Sequence, residues 1–164
     1  MSSRMRVGAL VLFTALSLIV SACGGSGTES NTTLTVTEGD FGFGSPAEPG
    51  DADRTVEITA TDSLAFEPAE LTVNAGETVT FRIVNQGSLV HDFTLGDQDA
   101  QNEHEAEMAE MEGMTHDQPN VVTVPAEETV EITWTFVDSG AVLIGCHEPG
   151  HYDAGMKGRI TVDA

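Results

Sequence analysis

The chain has 164 residues, with 27 Asp and Glu against 6 Lys and Arg, for a formal charge of −21 at neutral pH. That length suits one ordinary domain and is too short for two of comfortable size. The charge excludes nucleic acid and anionic lipid as electrostatic partners, and favours a basic protein surface or cations.

Arg4 and Arg6 precede an apolar or small-residue run from Val7 to Val20. About fourteen residues are too few to span a bilayer comfortably, and suit the central region of a secretory leader. The run ends in Val20-Ser21-Ala22-Cys23-Gly24, which resembles the lipobox of bacterial lipoproteins. The resemblance implies a signal peptide over residues 1–22, lipid on the Cys23 thiol, and residence outside the cytoplasmic membrane on that anchor alone. Removing the leader takes away two cations and no acid, so the mature charge becomes −23. It also leaves Cys146 as the lone thiol in an oxidising compartment, where metal ligation is the obvious task for it.

Residues 23–53 are rich in Gly, Ser, Thr, Pro and acid, and read as a flexible tether with a reach of about 30 Å. The apolar points Leu34, Val36, Phe41 and Phe43 fall within it. The domain is expected over 54–164. Val56 and Ile58, then Val79, Phe81 and Ile83, then Val130, Ile132, Trp134 and Phe136 alternate with polar neighbours. Such period-two patterns, rich in β-branched and aromatic residues, predict half-buried strands. Val122/Val124, Ala141 to Ile144 and Ile160/Val162 add more, with turn residues at Asn74-Ala75-Gly76, Asn85-Gln86-Gly87, Asp138-Ser139-Gly140 and Pro149-Gly150. Seven or eight short strands imply an all-β, two-sheet antiparallel sandwich or barrel.

One stretch departs from this pattern. Residues 99–113 lack β-branched residues and hold Ala, Glu, Gln and Met, a helical composition, so a helical insertion is expected over about 99–116. His104, Met108 and Met111 recur at i, i+4 and i+7 on one helix face, with Met114 and His116 following. Met and His among carboxylates form a candidate second metal site. The alternative is an acidic solvated helix whose Met face packs on the barrel.

The segment Gly145-Cys146-His147-Glu148-Pro149-Gly150-His151-Tyr152-Asp153-Ala154-Gly155-Met156 places a thiolate, an imidazole and a thioether on one turn between two strands. Soft sulfur with imidazole suits copper in both oxidation states, and two His, one Cys and a long axial Met make the blue-copper arrangement. His91, where a turn hands over to a strand, can supply the second imidazole.

From Phe66 to Val162 the chain resembles the cupredoxin family, the fold of plastocyanin and azurin. The resemblance rests on Phe66-Glu67-Pro68, Val73-Asn74-Ala75-Gly76-Glu77, Val79-Thr80-Phe81, Asn85 and Gly87 ahead of His91, and the Cys146/His151/Met156 loop, all in family order. It implies a Greek-key cupredoxin sandwich or barrel with one short helical excursion. It also implies one type 1 copper held by His91, Cys146 and His151, with Met156 axial. The family often places Asn after the first His to tie two loops, and Asp92 stands there instead. His147 is not expected to ligate. The five histidines include no His-x-His pair, so the trinuclear cluster of a multicopper oxidase cannot be assembled and no enzyme is expected. The implied role is a one-electron carrier, monomeric, with a redox partner that presents a basic docking surface. The Met/His stretch keeps a second role open, a copper trafficking or storage protein that delivers metal to extracytoplasmic cuproenzymes.

Overall fold

The structure is a computed structural model, and it describes residues 41–110 and 118–164. Their strands are β1 (Ser45–Pro46), β2 (Arg54–Thr61), β3 (Ala65–Glu67), β4 (Glu70–Asn74), β5 (Thr78–Asn85), β6 (His91–Gly96), β7 (Val121–Val124), β8 (Thr129–Thr135), β9 (Gly140–Gly145) and β10 (Lys157–Asp163). Two helices interrupt them, α1 (Gln98–Glu110) and the one-turn α2 (His151–Ala154). One sheet has the order β1-β8-β5-β2-β3 and the other β4-β10-β9-β6-β7. This is an all-β sandwich of two five-stranded sheets, as the resemblance implies. Eight of the ten described strands have four or more residues; β1 and β3 are the additional short ones.

The alternating positions of β5 and β8 meet as expected. Phe81 and Ile83 lie in the core with Ile132 and Trp134, while Arg82 faces water beside Glu131. On the opposite face the hydroxyls of Thr80 and Thr133, and of Thr78 and Thr135, pair across the strands at 2.8 Å, an ordinary stabilising cross-strand contact. A run of ring contacts links Phe66 to Phe93, Phe93 to Phe81 and Phe81 to Phe136 through the core.

Two expectations are corrected. The sandwich is not wholly antiparallel: β2 pairs with β5, and β4 with β10, in parallel. After β3 the chain leaves the first sheet and crosses to the edge of the second, where β4 lies beside β10. The tether also does not extend to residue 53. Phe43 is buried and stacks on Trp134 at 5.3 Å, Phe41 tilts against both rings, and Ser45 and Pro46 pair with Thr135 and Trp134 of β8. Gly44 permits this close approach, since a Cβ there would lie 2.0 Å from the Thr135 carbonyl oxygen. Leu34 and Val36 lie outside the described residues.

β6 is the strand that matters most for function. His91, Phe93 and Leu95 point into the sandwich, as period two requires. Asp92, Thr94 and Gly96 point outward yet are also buried, because α1 packs against β6 and β9 on that side. Both faces of the strand that opens with His91 are therefore sealed.

Candidate metal centre

The loop between β9 and β10 folds back on itself. Gly150 (φ +82°) and Gly155 (φ +102°) adopt left-handed backbone on either side of α2, a conformation costly for residues with a Cβ. The Cys146 N–H donates to the Met156 carbonyl at 3.1 Å, and the Met156 N–H donates to the His151 carbonyl at 3.0 Å. Those bonds bring His151 back over Cys146. On the other side, Asn85 donates to the carbonyls of Leu89, Val124 and Pro125, and its own oxygen accepts from the Gly87 N–H. The Asp62 carboxylate accepts from the Ser88 and Leu89 N–H groups, which holds its pKa below the usual range. Asn85 and Asp62 thus set the turn that delivers His91.

The three side chains converge. Cys146 Sγ lies 3.3 Å from His151 Nδ1 and 3.9 Å from His91 Nδ1, and the two Nδ1 atoms are 3.3 Å apart. Among the described residues this is the one group of three or more His, Cys, Asp or Glu whose donor atoms could close on a metal ion. His91, Cys146 and Met156 have no exposure, and His151 is half-buried. Burial pushes both imidazole pKa values down, and for His91 the neighbouring His151 adds to the effect. Neutral imidazole is the ligating form. Burial, with the negative charge of Asp92, pushes the Cys146 thiol well above its ordinary range. A bound cation reverses that preference and deprotonates a coordinating thiol. The donors therefore suit a soft or borderline cation held through two nitrogens and sulfur, with thioether sulfur buried on the same loop.

Asp92 does tie the loops, although it replaces the family's Asn. Its Oδ1 accepts the His147 N–H at 2.8 Å, its own N–H donates to Cys146 Sγ at 3.4 Å, and its Oδ2 lies 3.3 Å from His104 Nε2. His147 is fixed as well. Its Nε2 is 2.7 Å from Gln101 Oε1, its Nδ1 contacts the Glu105 carboxylate, and its ring stacks on Tyr152 at 4.3 Å. His147 stays outside the group of three donors.

Of the second candidate group, only His104 and Met108 are among the described residues. His104 points inward to Asp92, whereas Met108 lines a cleft of about 200 Å³ with Glu105, Ala109, His147, Pro149 and Gly150. Met111, Met114 and His116 lie outside the described residues. The sequence reading missed Gln101 and Glu105. Their one local signal was the i, i+3, i+4 spacing of Gln101, His104 and Glu105, which marks a polar face on a helix.

The fold and the donor set together define a copper protein of the blue type. Residues 52–163 match the model of the copper binding proteins, plastocyanin/azurin family, and the chain belongs to that family. The copper-resistant cuproprotein CopI of Rubrivivax gelatinosus is 38% identical over 76% of each chain. Auracyanin-A of Chloroflexus aurantiacus is 32% identical over 99% of this chain and 100% of its own length. A solved structure of auracyanin B superposes with a TM-score of 0.61 at 28% identity, covering 74% of this chain and 97% of that one. The family membership and the donor set make the cofactor one type 1 copper.

Proposed function

We propose that the chain is a one-electron carrier whose copper is held by His91, Cys146 and His151 with Met156 as the axial donor. It works outside the cytoplasmic membrane, anchored through lipid on Cys23, and performs no bond chemistry of its own. The observation that carries this proposal is the sealed cage: three of the four donor residues have no exposure, and His151 alone reaches toward the surface. When bound, copper supplies the Cu(I)/Cu(II) couple. The chain holds the donors in one geometry, excludes water from Cys146, and offers the His151 side as the route in and out. Auracyanin A, to which the chain is similar, is described as a blue copper protein, and that likeness supports a copper centre of this kind. Arg54 and Arg82 are already paired with Glu77 and Glu57, so the acidic surface is left to a basic redox partner approaching a monomer.

A second role is favoured by a different observation. The CopI likeness belongs to a protein described as copper-resistant, and an acidic stretch with Met and His follows β6. In that role the chain delivers copper to extracytoplasmic cuproenzymes, and its metal must leave readily. Voltammetry and chelator competition on the copper-loaded protein separate the two. A carrier gives a reversible couple and keeps its copper through repeated cycling, with an intense thiolate charge-transfer band that Cys146→Ser abolishes. Copper lost on reduction alone, or stripped quickly by an apo acceptor protein, would refute the carrier role. Cys23→Ala should release the protein from the lipidated membrane fraction.

A further inference from the structure

We propose that Gln101, inserted from α1 into the seam between β6 and β9, is a positioning residue that sets the geometry around the copper-binding sulfur. The proposal rests on the ligand assignment above, and it gives the helical insertion a task other than metal capture.

Gln101 has no exposure. Its amide nitrogen donates to the Thr94 carbonyl at 3.0 Å and the Leu143 carbonyl at 3.3 Å. Both donor hydrogens are thereby used, which leaves Oε1 as an acceptor facing His147 Nε2 at 2.7 Å. Thr94 stands three residues after His91, Leu143 three before Cys146, and His147 directly after it. One side chain thus joins the strand carrying the first imidazole, the strand carrying the thiol, and the residue beyond that thiol.

The backbone is shaped to receive it. Thr94 and Gly145 are register partners where the β6–β9 ladder ends. A Cβ on Gly145 would lie 2.2 Å from Gln101 Oε1 and 2.7 Å from His147 Nε2, and one on Gly96 would lie 2.7 Å from the Ala100 Cβ. Glycine at 145 and 96 opens the slot that α1 fills. His147 then has little freedom, with Gln101 and Glu105 on its nitrogens, Tyr152 on one face and the His104 ring set edge-on at 5.1 Å. Its main-chain N–H meets Asp92, whose own N–H points at Cys146 Sγ. Hydrogen bonding around the cysteine sulfur tunes the potential of such centres, so Gln101 acts on the sulfur through His147 and Asp92.

Gln101→Met keeps volume and removes all three hydrogen bonds. His147→Phe keeps the ring on Tyr152 and removes the partner. The readouts are the potential and charge-transfer band of the copper-loaded protein, and hydrogen exchange at the His147 amide in the apoprotein. Either variant should bind copper yet change the oxidised-to-reduced ratio at fixed potential about tenfold, which is about 59 mV for one electron. Each should shift the band and speed exchange of the backbone amide at position 147. The double variant should move the potential no further than the larger single change, because both cut one path. A Gln101→Met protein with a lower melting temperature but unchanged potential and band would overturn the proposal, as would additive shifts in the double variant. If Gln101→Met fails to fold, Glu105→Gln carries the test at the ring's other nitrogen: a displaced potential supports the proposal and an unchanged one overturns it. A wild-type protein without the charge-transfer band would instead refute the ligand assignment, which keeps the two failures distinct.

Discussion

Replacing Asp92 separates the loop tie from the charge that makes it. In Asp92→Ala the buried His147 N–H loses its acceptor, 2.8 Å away, and His104 loses the carboxylate at 3.3 Å. A buried donor left without a partner costs about 1–3 kcal/mol, and a lost hydrogen bond to a charged group about as much. Relief of the carboxylate's desolvation works in the other direction, so a net loss of about 3 kcal/mol is expected. The domain falls between the sizes for which 1 kcal/mol shifts the melting temperature by roughly 4–8 °C and by roughly 2–4 °C, so the melting temperature should fall by about 10 °C. Asp92→Asn retains Oδ1 for His147 and presents an amide to His104, and should stay within about 1 kcal/mol of wild type. Thermal and denaturant unfolding of the apoprotein measure both without involving the metal. Equal losses in the two variants would refute the tie and assign the effect to charge.

The apoprotein's stability should peak between about pH 6.5 and 9. Burial lowers the pKa of His91, His147 and His151, so the unfolded chain takes up protons first as pH falls through 6.5 and stability is lost. The raised Cys146 pKa acts at the other end: above about 9 the unfolded thiol ionises while the folded one does not, and stability is lost again. Cys146→Ser should flatten the alkaline limb of a melting-temperature profile, and an unchanged limb would contradict the burial argument. Phe43→Ala should cost about 2–4 kcal/mol by emptying the stack on Trp134; a loss below about 0.5 kcal/mol would return residues 41–46 to the tether. Met156→Leu should retain copper and raise the potential in voltammetry by removing the axial donor that helps stabilise Cu(II), and a lowered potential would count against the axial role.

The candidate donors of the β9–β10 loop were legible because their information is local. Cys146, His151 and Met156 share one turn, and their residue types and spacing state the chemistry before any contact is known. The alternation of β5 and β8 was legible for the same reason. Pairing direction was not: nothing in Glu70–Asn74 records that its neighbour is β10 running parallel, because that follows from a change of layer. β1 was hidden by its length, two residues in a Gly- and Pro-rich stretch whose docking depends on a distant Trp134. Gln101 was hidden more deeply. On a helix of acidic composition it reads as another solvated position, and it is buried because Gly145 and Gly96 leave room for it from elements that follow and precede it.

The depth of Cys146 also protects the protein before any metal arrives. Disulfide exchange and peroxide attack both proceed through the thiolate and require access to sulfur. Cys146 offers neither: it has no exposure, and burial keeps its proton in place far above neutral pH. In the oxidising space to which the leader is expected to send it, a newly folded chain would keep its thiol reduced without a partner cysteine. Copper, which can displace that proton by binding, would be the reagent able to claim the sulfur.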